Sequence, residues 1–139
     1  MTRTPTVICL DTNAILALRF QEAKAEAVAR FLDSVPQMVV CGPVVAELMP
    51  RDPQAEEWLT EAGIGVDWTL GRAIWRKVGE LHRDYAARRR RSGGGIPRRI
   101  LTDYLIGAHA EISGLPLFTL NPGDYAPFND LEILTLRKE

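Results

Sequence analysis

The feature that most constrains this chain is an alternation: short, unbroken apolar runs separated by longer segments with helical spacing. Val7 to Leu10 and Met38 to Cys41 are four-residue runs rich in β-branched residues. Runs so short and so apolar read as strands buried on both faces. Between and after them the spacing predicts helices. One covers residues 13–20, with Asp11 or Thr12 as its N-cap. Another covers 22–34, carrying Ala25, Val28, Phe31, Leu32 and Val35 on one face before Pro36. A short helix over 44–49 is closed by Pro50, and a further one opens at Pro53 and ends at Gly63. A long helix over 70–90 has Ile74, Val78, Leu81 and Tyr85 in one stripe. The last starts at Pro97 or Arg98 and runs to Ser113, with Leu101, Leu105, Ala108 and Ile112 buried and Gly114 as its stop. Ile64 to Trp68 reads as a short strand or extended link, Leu115 to Leu120 as a third strand and Leu131 to Leu136 as a fourth. Strands separated by helices predict an α/β fold. The expected architecture is a three-layer α/β/α domain with a mostly parallel central sheet of four or five strands.

The 139 residues are expected to form one domain, residues 1–139, with enough core to fold without staples. Two cysteines, Cys9 and Cys41, exclude a disulfide scaffold and a four-cysteine zinc site. No apolar run approaches the roughly 18 residues of a membrane helix. The start, Met1 to Thr6, is polar and lacks a signal-peptide pattern. The expectation is a soluble, cytoplasmic protein without a membrane partner. Seventeen basic residues against eighteen acidic ones give a net charge of −1. Six arginines and no acid lie between Arg88 and Arg99, so the rest of the chain carries −7. A cationic segment on an acidic body suggests a polyanionic partner, although such runs also occur as solvated, flexible stretches. Arg88 to Pro97, with three consecutive glycines, reads as a mobile surface loop.

In parallel sheets, ligands bind outside the carboxyl ends of the strands. Asp11 directly follows the first strand, Glu47 lies one short turn past the second, and Asp124 comes just after Leu115 to Leu120. Asp103 is near the start of the helix leading into that strand. Four carboxylates from separate segments are thus expected at one edge. Crowded carboxylates repel and their pKa values rise; a hard divalent cation such as Mg²⁺ or Mn²⁺, which takes oxygen ligands, removes the penalty. Each acid also has a plainer reading. Asp11 serves as an N-cap, Glu47 as the exposed side of a short helix, Asp103 as a first-turn dipole partner and Asp124 as a turn residue. Their joint placement, beside an arginine segment, is the composition of a phosphodiester hydrolase.

At these residues the sequence resembles the PIN-domain family, and within it the VapC-type toxins of bacterial toxin–antitoxin pairs. The matching pieces are Val7-Ile8-Cys9-Leu10-Asp11-Thr12-Asn13 and Val44-Val45-Ala46-Glu47-Leu48. They continue with Ile100-Leu101-Thr102-Asp103-Tyr104-Leu105-Ile106-Gly107-Ala108-His109-Ala110 and Leu117-Phe118-Thr119-Leu120-Asn121-Pro122-Gly123-Asp124-Tyr125. The resemblance implies a metal-dependent endoribonuclease, the toxin of a type II toxin–antitoxin system. It implies Mg²⁺ or Mn²⁺ on Asp11 and Asp103, with Glu47 and Asp124 completing the catalytic set through waters. Thr119 matches a hydroxyl residue that hydrogen-bonds the first aspartate, and Asn13 matches another near neighbour. Asn121 stands where many PIN domains carry an aspartate; a following acid, here Asp124, is a variant seen among VapC-type toxins. Arg88, Arg89, Arg90, Arg91, Arg98 and Arg99 would neutralise RNA phosphates. The implied partners are an RNA substrate, a cognate antitoxin that blocks the pocket with a basic side chain, and a second copy in a homodimer. Leu16, Leu18, Phe20, Phe31 and Leu32 are either core or the antitoxin groove.

The remaining chemistry-bearing residues point elsewhere. His109 lies six residues after Asp103, on a different side of the helix, and reads as packed or half-exposed. His82 reads as surface and Cys9 as core. Trp58, Trp68 and Trp75 read as core or interface. No G-x-S-x-G elbow and no phosphate-binding G-x-x-x-x-G-K loop is present. Two rivals stand beside the nuclease. One is a non-cleaving PIN-like module that binds RNA or protein. The other is a metal-dependent phosphatase, which would favour a D-x-D pair where this chain has Asp11-Thr12-Asn13.

Overall fold

The computed structural model describes residues 5–137; the polar start Met1–Thr4 lies outside the described residues. Five strands form one sheet in the order β3-β2-β1-β4-β5, and every neighbouring pair is parallel. The strands are β1 (Val7–Leu10), β2 (Gln37–Cys41), β3 (Ile64–Asp67), β4 (Leu117–Phe118) and β5 (Ile133–Leu134). The helices are α1 (Thr12–Arg19), α2 (Ala25–Leu32), α3 (Gly42–Leu48), α4 (Ala55–Glu61), α5 (Arg72–Arg91) and α6 (Thr102–Ser113). A single 3₁₀ turn, Pro122–Tyr125, follows β4. The α/β expectation with a five-stranded parallel sheet holds. Ile64 to Trp68 resolves as the edge strand β3.

Register sets the site. Cys9 pairs with Val39 on one side and Leu117 on the other, and Leu10 pairs with Phe118. Because all strands run one way, β1, β2 and β4 end at the same sheet edge. Right-handed crossovers put α1 to α4 on one face and α5 with α6 on the other. α1 packs on α2 and α3, while α5 runs along α6. Ile8, Ile15, Val28, Val40, Val44, Leu59, Leu117 and Phe118 are fully enclosed in the core between these layers. The Phe31 ring lies 4.6 Å from that of Phe118.

Four elements, α2, β4, β5 and α6, depart most from the sequence expectation. α2 starts at Ala25 and not Glu22, because Gln21 takes φ 52° and reverses the chain after α1. The Gln21 side-chain amide donates to the Leu18 carbonyl and holds that turn. The β4 and β5 ladders are two residues each, shorter than Leu115 to Leu120 and Leu131 to Leu136. Pro116 has no N–H to give, and uses its carbonyl to accept from Cys9. α6 begins at Thr102, four or five residues later than expected. Leu101 is extended, and Arg98 and Arg99 sit in a bend before it. Arginines are disfavoured at the positive end of a helix, whereas Asp103 in the first turn is favoured there.

The largest correction concerns the arginines. Arg88, Arg89, Arg90 and Arg91 are not in a mobile loop: they form the last turn of α5, where cations complement the negative helix end. Gly93, at φ 87°, closes the helix in a Schellman motif. Its N–H donates to Arg90 O at 3.1 Å, and Gly94 N–H donates to Arg89 O at 2.7 Å.

Gly107, inside the α6 motif, is a close approach. A Cβ there would overlap the Phe128 ring, which is itself buried. Gly107→Ala is therefore expected to destabilise the chain by about 1–3 kcal/mol despite the better helix propensity of alanine. Urea unfolding checks this, and Phe128→Leu in the same background should recover part of the loss.

Candidate metal and nuclease site

Asp11 is both cap and site. It follows β1 and is only 2% exposed. Its Oδ1 accepts from Ala14 N–H at 2.9 Å, so it is the N-cap of α1. Its Oδ2 accepts from the Thr119 hydroxyl at the end of β4, and the Tyr125 hydroxyl stands 3.5 Å away. Asn121 N–H donates to Thr119 Oγ1 at 3.0 Å. With that acceptor site filled, the Thr119 proton is left to point at Asp11. Burial pushes the Asp11 carboxyl above its usual pKa; the bonds from Thr119 and Ala14 pull it back, and Asp124 adds repulsion.

Glu47 projects from α3 and accepts from the Thr12 hydroxyl. Asp103 lies in the first turn of α6. Its pKa is raised to about 6, first by burial and then by the charges of Asp124, Glu47 and Asp11. Asp124 sits exposed on the 3₁₀ turn. The structure thus brings all four predicted acids to one edge. Among the described residues, none of the four is in an ion pair. Also among the described residues, no three His, Cys, Asp or Glu side chains close to a metal-gripping group as they stand. The donor set still fits a hard cation: it is all oxygen, it lacks internal counter-charge, and Mg²⁺ is commonly bound by one or two carboxylates with the remaining positions filled by water.

The other predicted residues divide. Thr119 bonds Asp11 as expected. Asn121 contributes through its backbone N–H. Asn13 is exposed and, among the described residues, makes no side-chain hydrogen bond to the acids. All six arginines are exposed, with Arg98 and Arg99 entering α6 near Asp103.

Two contributors escaped the sequence reading. Tyr125 is buried, its hydroxyl reaches Asp11, and burial first, then the charges of Asp11, Asp103, Asp124 and Glu47, push its phenol pKa up. Thr12 holds Glu47, where only a capping role was expected. The nearest signal for each was adjacency, Thr12 to Asp11 and Tyr125 to Asp124.

His109 takes no part in this edge. It is 1% exposed, with Nε2 2.9 Å from Asp67 Oδ2 and Nδ1 3.8 Å from Cys9 Sγ. That bond holds the Asp67 carboxyl below its usual pKa. Burial pushes the Cys9 and Cys41 thiols up to about 12 and about 11, so both are neutral core groups at physiological pH. His82 is half-buried and not on the surface. Trp68 and Trp75 are largely exposed, unlike Trp58, which packs against the core.

Among curated proteins, none matches this sequence. Solved structures do. A crystal structure of VapBC2 from Rickettsia felis bound to a promoter DNA fragment aligns with a TM-score of 0.63 at 18% identity, over 94% of this chain and 99% of that one. VapBC-1 from nontypeable Haemophilus influenzae gives 0.62 at 25% identity, over 93% and 97%. A toxin–antitoxin complex from Klebsiella pneumoniae gives 0.64 at 18% identity, over 92% and 96%. The PIN domain family model matches residues 8–126, from the start of β1 through the turn that carries Asp124 and Tyr125, and on that match the chain belongs to the PIN-domain family.

Proposed function

We propose that the chain is a VapC-type toxin: an endoribonuclease that hydrolyses RNA phosphodiesters with a divalent metal, Mg²⁺ or Mn²⁺. The observation that carries this is the convergence of Asp11, Glu47, Asp103 and Asp124, from four separate elements, at one sheet edge where, among the described residues, none of them is in an ion pair. Asp11 and Asp103 would hold the ion, and Glu47 and Asp124 would orient waters around it. When bound, the metal lowers the pKa of a water and stabilises charge on the phosphoryl oxygens. The chain supplies orientation. Thr119 and the Ala14 N–H fix both oxygens of Asp11. Thr12 fixes Glu47, and the Tyr125 hydroxyl stands against Asp11. The six arginines draw in the RNA backbone, with affinity falling steeply in salt.

The similar structures are toxin–antitoxin assemblies by their own descriptions, and this supports a cognate antitoxin for this chain. A basic antitoxin side chain placed among the four acids would satisfy the same unpaired charge as a metal. Leu16, Leu18 and Phe31 are half-buried and pack against the core; Phe20 is half-buried too, its ring faced by the Arg51 guanidinium at 4.0 Å. What remains exposed of them is the antitoxin groove on this reading. The toxin acts as one PIN unit per chain, in a homodimer, in the cytoplasm. Among the described residues no helix is long and apolar enough to cross a membrane.

Expression of the wild type should produce new RNA 5′ ends that Asp103→Ala abolishes, a loss of at least about 100-fold in cleavage. Identical 5′-end maps from the two would refute the nuclease reading.

The raised pKa of Asp103 predicts a sign. Between the ordinary carboxyl value and about 6 the folded state holds a proton that the unfolded chain has released. The stability it contributes is present at low pH and is lost as pH rises through about 6. The Tm of the metal-free chain should therefore rise as pH falls from about 7.5 to about 5, and rise less in Asp103→Asn. Mg²⁺ should raise the Tm more at the higher pH, where the acids are ionised. Calorimetry across that range checks both.

A further inference from the structure

The six arginines do not form one patch. Successive residues on α5 leave the helix about 100° apart, so Arg88, Arg89, Arg90 and Arg91 project in four directions. Arg89 lines a cavity of about 270 Å³ between the last turns of α5 and the segment entering α6, together with Tyr85, Pro97, Arg98, Arg99 and Leu101. None of these residues is acidic. Among the described residues, none of the three arginines is held in an ion pair.

The walls are built. The Schellman closure at Gly93 folds the chain back over Arg89. A Cβ on Gly94 would stand 3.2 Å from Arg89 O and 3.3 Å from its Nε, so this return packs tightly on Arg89 and a side chain there would have to push it back by a few tenths of an ångström. Pro97 is buried and fixes the opposite lip. The Tyr85 ring is braced edge-on by Tyr104, centroids 6.3 Å apart at 83°, and the Arg89 guanidinium stands 5.9 Å from its centroid. Leu101 is two residues before Asp103, which limits their Cα separation to about 7 Å. One wall of the cavity is therefore joined by two residues of chain to Asp103 at the acidic edge. At just under the roughly 300 Å³ where ligand pockets begin, it takes one nucleotide-sized group.

We propose that this cavity is a nucleotide subsite for the residue next to the scissile phosphate, with that residue's own phosphate on Arg98 and Arg99 and its base against Tyr85 and Arg89. The proposal rests on the ribonuclease reading and deepens it. Two neighbouring arginines suit a phosphodiester, and an aromatic ring beside a third guanidinium suits the flat face of a base. The base must be unstacked from its neighbours to enter, so the substrate is single-stranded or looped RNA at this position. Arg88, Arg90 and Arg91 add only unlocalised attraction.

The test uses a fluorescein-labelled single-stranded RNA of mixed sequence, with binding read by anisotropy over a salt series. Binding is measured in the Asp11→Asn chain, which cannot cut it, and again in the wild type with EDTA. Arg98→Ala with Arg99→Ala should weaken binding about tenfold or more and flatten the log–log salt slope by about 1.4, two contacts at about 0.7 each. Arg90→Ala with Arg91→Ala removes the same charge outside the cavity and should cost less than about threefold. Tyr85→Leu should weaken binding about tenfold with the salt slope unchanged, and Tyr85→Phe should keep the affinity. Equal losses from the two arginine pairs, or Tyr85→Leu binding like its parent, would overturn the subsite. The ribonuclease reading would then survive if the wild type still cuts RNA with metal. A wild type that neither binds nor cuts RNA would remove both.

Discussion

A carboxylate buried at the end of a central strand is the constraint around which this molecule is arranged. Taking Asp11 out of water disfavours its charged form unless donors surround it. Those donors come from the first turn of α1, three residues on, and from two places more than a hundred residues away: the end of β4 and the 3₁₀ turn that carries Tyr125. The two distant ones are available only if β1 pairs with β4 in the observed register, which sets Leu10 opposite Phe118 and brings Thr119 beside Asp11. The bonds that make the site are therefore also bonds that hold the fold. Thr119, fully buried and saturated by Asp11 and the Asn121 N–H, is the joint between them.

The same edge carries a cost the fold does not remove. Asp103 sits where Asp124, Glu47 and Asp11 all oppose its ionisation, and Tyr125 offsets only part of that. Replacing any one of the four by an amide would relieve the repulsion, so their presence together is a local conflict between stability and chemistry. Such conflicts mark functional sites because burial and like charge are what poise a group to accept a cation. The pair of buried His109 and half-exposed Asp67 shows the contrast. There a carboxylate meets its own donor, its pKa falls, and no ligand is called for.

Much of this was legible in the sequence, and for identifiable reasons. Strand positions and the edge at which the acids meet follow from short apolar runs and the parallel rule, both of which depend only on local pattern. Asp11 as the cap of α1 follows from its place between a strand and a helix. What the sequence concealed depends on partners distant in the chain. Nothing local to Tyr125 says that its hydroxyl reaches Asp11, more than a hundred residues away, and nothing local to Thr12 says that it bonds Glu47. The arginine run misled for a different reason. Three glycines suggested freedom, but the first of them is the left-handed closure of a helix, so Arg88 to Arg91 are ordered by the very residues that suggested mobility. The late start of α6 was likewise invisible to spacing, because Leu101 keeps helical register with Leu105 while its backbone is extended.

Charge segregation then explains how an acidic site admits a polyanion. Four carboxylates at the sheet edge repel RNA, and the chain's overall charge of −1 gives no compensating attraction. At physiological salt the influence of an exposed charge fades over about 8 Å. An arginine helps a phosphate at the acids only if it stands within roughly that distance. Arg98 and Arg99, in the bend just before Leu101 and Asp103, are tied to the site by a few residues of chain. The outward-facing arginines of α5 have no such tie. Placing cations in the segment that opens α6, and leaving its first turn to an aspartate, puts opposite charges side by side without letting them neutralise each other. Among the described residues these acids and arginines form no ion pair with one another, so on the nuclease reading the acids are left for a metal and the arginines for phosphate.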